Sequence, residues 1–159
     1  MSVKRGVFDM QEYTLIGACG LYCGSCSHYK ASQSEGKRFL DNKRAEDPLF
    51  EECHGCRSKR TTEYCSKCTI RTCTKSKGIL HCGLCTDYPC KKIKDFQFDG
   101  KVHHIVIMDN LEHLKRCDPE QWLLEQESRW TCECGVKYSW YEERCSECGT
   151  RLSSYARWS

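Results

Sequence analysis

The spacing of cysteine constrains this chain more than any other feature. Sixteen of its 159 residues are cysteine, and all but Cys117 stand in close, ordered sets. Cys19-x3-Cys23-x2-Cys26 opens the series, and Cys53-x2-Cys56 follows. Cys65-x2-Cys68-x4-Cys73 and Cys82-x2-Cys85-x4-Cys90 repeat one pattern, and Cys132-x-Cys134 and Cys145-x2-Cys148 close the series. Two thiolates two or three residues apart on a tight turn reach one metal ion, and two such turns complete a tetrahedral four-sulfur site. A chain built this way is organised by metal, with all fifteen of these thiols as candidate ligands.

The competing use of so many cysteines is a disulfide framework, which needs an oxidising compartment. The segment from Met1 to Cys19 has no apolar run of signal-peptide length, because Asp9, Gln11 and Glu12 interrupt it. No stretch approaches the ~18 apolar residues of a membrane span. A cytoplasmic metalloprotein with no membrane contact is the expectation.

Removing the cysteines from the 39% hydrophobic fraction leaves about 29% of the chain, thin for a globular domain. Such a chain needs staples, and a structural zinc supplies roughly 10–16 kcal/mol of apparent binding energy. The metal-free protein is therefore expected to be largely unfolded in its cysteine-rich part. The formal charge of +3 does not argue for nucleic acid, because it treats every thiol as neutral. A divalent ion held by four thiolates carries a net charge of about −2, so four such sites would move the chain from +3 to about −5.

Along the chain, residues 1–14 read as a lead-in, 15–98 as a cysteine-rich metal-binding module and 99–128 as a helical hairpin connector. Residues 129–152 read as a zinc ribbon and 153–159 as a tail. The predicted fold is a small metal-stapled α+β protein. A first helix is predicted after Cys26, with Ser32-x-x-Glu35 as capping box, Phe39 and Leu40 as anchors, and Asp47-Pro48 as its stop. Residues 53–90 lack periodicity and read as loops and knuckles. Asp87-Tyr88-Pro89-Cys90 predicts a helix with proline at its first position, placing Cys90 in the first turn beside Ile93 and Phe96. Val102, Ile105, Val106, Leu111 and Leu114 predict a third helix running to about Cys117. Asp118-Pro119-Glu120-Gln121 predicts N-cap, proline and capping box for a fourth, which carries Trp122 and Leu123.

The C-terminal sets are the most specific. Cys132-Glu133-Cys134-Gly135 and Cys145-Ser146-Glu147-Cys148-Gly149 each end in the glycine that lets backbone amides turn toward sulfur. The residues between them, with Val136, Tyr138 and Trp140, suit a short hairpin. Trp130, Tyr138, Trp140 and Tyr141 could stack nucleic-acid bases, but a ribbon needs a small core, and core is the preferred reading.

The N-terminal sets hold eleven cysteines, so two four-sulfur sites leave three sulfurs over. Cys117, His28, His54 and His81 are the candidates for a twelfth ligand. The remainder matters because a closed site is structural while an open one supports chemistry. Cys19-x3-Cys23-x2-Cys26 has the spacing that holds the open 4Fe–4S cluster of radical S-adenosylmethionine enzymes, yet only about 110 residues precede the ribbon. No alternating strand–helix pattern is present either. Zinc at about four sites, one of them in the ribbon, is the preferred reading. A 4Fe–4S cluster in the N-terminal module is the alternative.

Cys19-Gly20-Leu21-Tyr22-Cys23-Gly24-Ser25-Cys26, Cys53-His54-Gly55-Cys56, Cys68-Thr69-Ile70-Arg71-Thr72-Cys73 and Cys82-x2-Cys85-x-Asp87-Tyr88-Pro89-Cys90 stand in a characteristic order. With Cys65 and Lys77-Gly78, they make residues 15–98 resemble the small cysteine-rich family named domain of unknown function 3795, found in bacteria and archaea. The resemblance implies a metal-binding module and supplies no activity. Many members have proline after the third cysteine; here Ser27-His28 stands instead, which keeps His28 a candidate ligand. Cys117 is not part of the motif.

His103, His104 and His113 are expected to be exposed and unremarkable. No nucleophile motif, phosphate-cradling loop or spaced carboxylate pair appears, so no catalytic residue is assigned. The expected role is a binding or adaptor module with another protein as partner. An electron-carrying or open iron–sulfur centre at Cys19, Cys23 and Cys26 is one alternative. Nucleic-acid binding through the ribbon aromatics and the Lys91-Lys92-Lys94 edge is another.

Overall fold

Helices fill the intervals that the cysteine sets leave free. The computed structural model describes residues 13–158; most of the expected lead-in and the last residue of the tail lie outside the described residues. Seven α-helices occur among the described residues: α1 (Ser27–Ser32), α2 (Lys37–Glu46), α3 (Glu63–Ser66), α4 (Thr69–Lys77), α5 (Lys91–Gln97), α6 (Ile107–Leu114) and α7 (Pro119–Arg129).

The helix predicted after Cys26 is split in two. The Ser32 hydroxyl donates to the Tyr29 carbonyl at 2.7 Å and closes α1 instead of capping a new helix. A 3₁₀ turn over Ser34–Gly36 then leads into α2. The stop is where the sequence puts it: Asp47 is extended, the conformation that a following proline imposes. No residue of α2 is buried, and Phe39 lies beneath the Lys30 ammonium at 4.7 Å. This helix is solvated, as expected.

Residues 53–90 are not loops throughout. They contain α3 and α4, and α4 buries Ile70 and Thr74, one turn apart, before Gly78 ends it. So narrow an apolar stripe is invisible to periodicity, because the thiols around it supply much of the packing. Pro89 does not open α5. The Tyr88–Pro89 bond is cis, Cys90 is the extended N-cap, and the first turn begins at Lys91. Ile93 is fully buried and Phe96 packs beside it.

The third helix is shorter than predicted. Val102–His104 form a 3₁₀ turn, Ile105 is 53% exposed, and α6 begins at Ile107. Asp118 is the N-cap of α7 with Pro119 inside it, but no side chain completes a capping box. Gln121 instead donates to Glu125 at 2.9 Å, and Tyr13 holds Glu120. α6 packs on α7.

The α+β expectation is met only in part, since the fold is mostly helical. Among the described residues, β-pairing is confined to isolated antiparallel bridges at Ile16–Tyr22, Thr131–Lys137 and Arg144–Arg151. The knuckles bend the chain too sharply for a ladder to lengthen. One continuous core runs from Tyr13, Ile16 and Leu21 through Ile93, Ile107, Leu111 and Trp122 to Trp130, Tyr138, Trp140 and Tyr155. The C-terminal unit therefore shares its packing with the rest of the chain.

Candidate metal centre

Two knuckles build the C-terminal site. The Gly135 amide donates to the Cys132 carbonyl at 2.8 Å and the Gly149 amide to the Cys145 carbonyl at 3.0 Å. Both glycines have positive φ, 91° and 71°, which an L side chain resists. The turns bring the sulfurs of Cys132, Cys134, Cys145 and Cys148 within 4.8 Å of one another. Cys132 lies 3.6 Å from Cys148, and Cys134 lies 3.5 Å from Cys145. Four sulfurs at about 2.3 Å from one tetrahedral ion would stand about 3.8 Å apart, so the cage already has the size of a single-ion site.

Its protons are unevenly held. The Thr150 hydroxyl, 3.2 Å from Cys148 Sγ, and the Thr150 amide pull the Cys148 thiol down to about 6. The amides of Cys148 and Glu147 lower Cys145. The Val136 amide also lowers Cys134, but the neighbouring Cys145 and desolvation outweigh it and push Cys134 up to about 12. Cys132 is raised in the same way, the Cys134 amide opposing desolvation and Cys148. Each close pair thus joins a readily ionised sulfur to a reluctant one, and a bound cation would displace the remaining protons.

The ribbon aromatics are core, as preferred from the sequence, with Tyr141 as the exception. Trp130, Tyr138 and Trp140 are buried, and Trp130 meets Tyr155 edge-on at 5.0 Å, whereas Tyr141 is 41% exposed. The unit is anchored on the N-terminal module. The Trp140 amide donates to the Ser25 carbonyl at 3.0 Å, and Lys30 pairs with Glu142 at 2.7 Å. His103 stacks on Trp140 at 4.6 Å and bonds the Tyr141 hydroxyl at 2.7 Å. His104 is buried and pairs with Asp99 at 2.9 Å. These two histidines are therefore structural rather than exposed, because the 3₁₀ turn that carries them faces the ribbon. His113 alone stays half-exposed, against Glu125.

In the N-terminal module the eleven thiols come from four segments. Desolvation raises Cys19 well above the ordinary thiol range, and the charges of Cys56, Cys68 and Cys82 add to it. Cys23 is raised likewise, by burial and then by Cys56, Cys19, Cys26 and Cys65. Burial pushes Cys26 up to about 12 against the amides of His28 and Tyr29, with Cys53 and Cys65 adding their charge. Cys82 also reaches about 12 through burial and the charges of Cys90, Cys73 and Cys85. Thiols held this far from ionisation stay protonated at neutral pH unless a bound cation displaces their protons. Among the described residues, the ribbon supplies the one set of three or more ligands whose atoms all lie within 4.8 Å of one another.

Sequence reasoning missed the groups that hold the sulfurs. Lys77 Nζ donates to Cys85 Sγ at 3.0 Å and pairs with Asp87 at 3.2 Å, lowering the Cys85 thiol. Lys77 stands one helical turn after Cys73, a signal usable only once α4 is known. The Ala18 amide donates to Cys56 Sγ at 3.5 Å, and the Gly55 amide to Cys53 Sγ at 3.4 Å. Of the other candidates, Cys117 has carboxylates rather than thiols as electrostatic neighbours: desolvation, Glu125 and Asp118 raise it. His54 is exposed. His81 is buried, with Nδ1 over Gly83, and burial followed by the Arg57 charge pushes it down to about 4.

Comparison with known proteins bears on the N-terminal part of the chain. Residues 15–95, about half of the sequence and all eleven N-terminal cysteines, match the family model described as Protein of unknown function (DUF3795). No curated protein and no solved structure matches.

Proposed function

This chain belongs to the DUF3795 family, and from that premise we propose that it is a metal-stapled binding module whose ions are structural. One zinc sits in the C-terminal cage of Cys132, Cys134, Cys145 and Cys148, and further ions staple the N-terminal thiols. The observation that carries this reading is the cage itself: four sulfurs within 4.8 Å of one another, at the spacing one zinc requires. All four positions are sulfur, which makes the site a closed, structural one rather than an open, catalytic one. The work of the protein is then recognition, with another protein in the cytoplasm as its partner.

A second reading keeps zinc in the ribbon and places an iron–sulfur cluster in the N-terminal module. It is favoured by the contrast between the two regions. The ribbon sulfurs lie within 4.8 Å of one another, whereas among the described residues no N-terminal set of three or more sulfurs does. A cubane puts its four ligand sulfurs about 6 Å apart, because four irons stand between them.

Metal content and the visible spectrum of protein purified without oxygen or added metal test both readings. Several zinc ions per chain and no colour support the structural account. Iron with acid-labile sulfide, beside one zinc, supports the cluster. A single zinc and no iron would sink both accounts of the N-terminal module.

A further inference from the structure

Three arginines of the C-terminal unit gather around one cleft with a single acid, Glu143, among them. Arg144 and Arg151 are partners in an isolated antiparallel bridge. The Cys145 amide donates to the Thr150 carbonyl and the Leu152 amide to the Glu143 carbonyl, both at 2.9 Å. Arg144 and Arg151 are therefore a non-hydrogen-bonded pair, the arrangement in which opposed side chains stand closest. Arg157 arrives from the 3₁₀ turn Tyr155–Trp158, which the Tyr155 amide ties to the Trp140 carbonyl at 2.7 Å. The cleft these side chains line with Glu143 and Ser154 has a volume of about 310 Å³, the small end of ligand-binding sites.

Its charges are unbalanced. Like charges directly opposite each other on paired strands destabilise the pairing. Arg44, Arg60 and Arg116 each pair with a glutamate. Among the described residues, Arg144, Arg151 and Arg157 have no carboxylate oxygen within 4.0 Å, that of Glu143 included. Arg144 donates to the Gly149 carbonyl at 3.2 Å, and Arg157 lies over the exposed Trp158 ring at 5.3 Å. These contacts position two guanidinium groups without supplying a counter-charge. Ser154 is buried in the wall of the cleft, and its Oγ accepts from the Ala156 amide at 3.3 Å, which leaves the hydroxyl proton as a further donor.

The occupant that fits is a phosphate monoester. Three guanidinium charges less one carboxylate leave +2, and a phosphate monoester carries about −1.5 to −2 at pH 7. Guanidinium forks donate in pairs to phosphate oxygens, which accept from several directions at once. A phosphodiester, with a single negative charge, balances the site less well.

We propose that Arg144, Arg151, Arg157 and Ser154 form a binding site for a phosphate monoester, carried by a small compound or by a phosphorylated side chain of a partner protein. The inference goes beyond the metal-stapled reading: it needs the ribbon folded, not a particular ion in its cage.

The test titrates metal-loaded full-length protein with inorganic phosphate or chloride at fixed ionic strength and follows the arginine Nε–H resonances. Phosphate should shift three of them saturably and chloride none. Arg151→Gln should weaken phosphate binding about 10–100-fold and keep the ribbon ion. Arg157→Gln, which lies outside the knuckles, should do the same and decides the matter if the first variant does not fold. A phosphoserine peptide that binds more tightly than phosphoserine and inorganic phosphate assigns the source to a partner protein. Equal affinities assign it to a small compound, and both results support the site. Equal shifts with chloride, no saturation, or unchanged affinity in the variants overturns the proposal. So does tighter binding of an oligonucleotide without a terminal phosphate than of any monoester. Loss of the ribbon ion from Arg157→Gln also overturns it, because the arginines would then serve the thiolate cage.

Discussion

Replacing Cys148 with serine removes one corner of the ribbon cage, and the structure sets how far the damage should travel. A structural zinc contributes roughly 10–16 kcal/mol, more than the remaining interactions of so small a unit supply. What joins the ribbon to the module is weaker. Burying the Trp140 side chain is worth about 2–3 kcal/mol. The Trp140 amide bond to Ser25 adds about 1 kcal/mol. The half-shielded Lys30–Glu142 pair adds up to about 1 kcal/mol. The His103 stack on Trp140 and its bond to Tyr141 add about 2 kcal/mol, so the interface totals about 7 kcal/mol, still short of the zinc. Cys148→Ser should unfold the ribbon while the N-terminal thiols keep their metal. Metal content should fall by one equivalent, and the fluorescence of Trp130 and Trp140 should move toward that of exposed indole while Trp122 stays buried. Loss of the N-terminal metal in the same variant would refute this reasoning, because it would mean that the interface outweighs the module's own staples.

Three further outcomes are expected. Trp122 is fully buried, meets Tyr22 edge-on at 6.1 Å, and its Nε1 has no partner among the described residues. Trp122→Ala should cost about 3–5 kcal/mol in a denaturant titration, but Trp122→Phe only about 1, because it removes the unpaired donor along with the volume. Equal losses in the two variants would contradict this. On the metal-stapled reading proposed above, Lys77→Met takes the ammonium from Cys85 and should loosen the ion held near Cys85 by about 10–100-fold in a chelator competition, leaving the ribbon ion unaffected. Burial, then His104 and Lys101, push His103 down to about 4, so the unfolded chain takes up this proton near pH 6.5 and the folded one does not. The contribution of His103 is thus complete above pH 6.5 and is lost as pH falls toward 4, by up to about 3 kcal/mol. At saturating zinc, His103→Phe should flatten the stability slope across that window, and an unchanged slope would rule His103 out as its source.

The arrangement of cysteine along the chain determines a great deal without any structure. It fixes the four-sulfur cage, the glycines that end its knuckles, the stop of α2 at Asp47 and the proline entry of α7, because each depends on covalent geometry or on neighbours a few residues away. Local pattern could not reveal α3 and α4, whose apolar stripes are too narrow. It could not foresee that His103 and His104 pack against the ribbon, or that Lys77 grips Cys85. Above all, it could not divide eleven equivalent thiols. Spacing says which sulfurs can share an ion within one turn. Which turns meet is decided by long-range contacts, such as those of Ala18 with Cys56 and Cys82, or of Glu51 with His28 and α3, and these exist only in the folded chain.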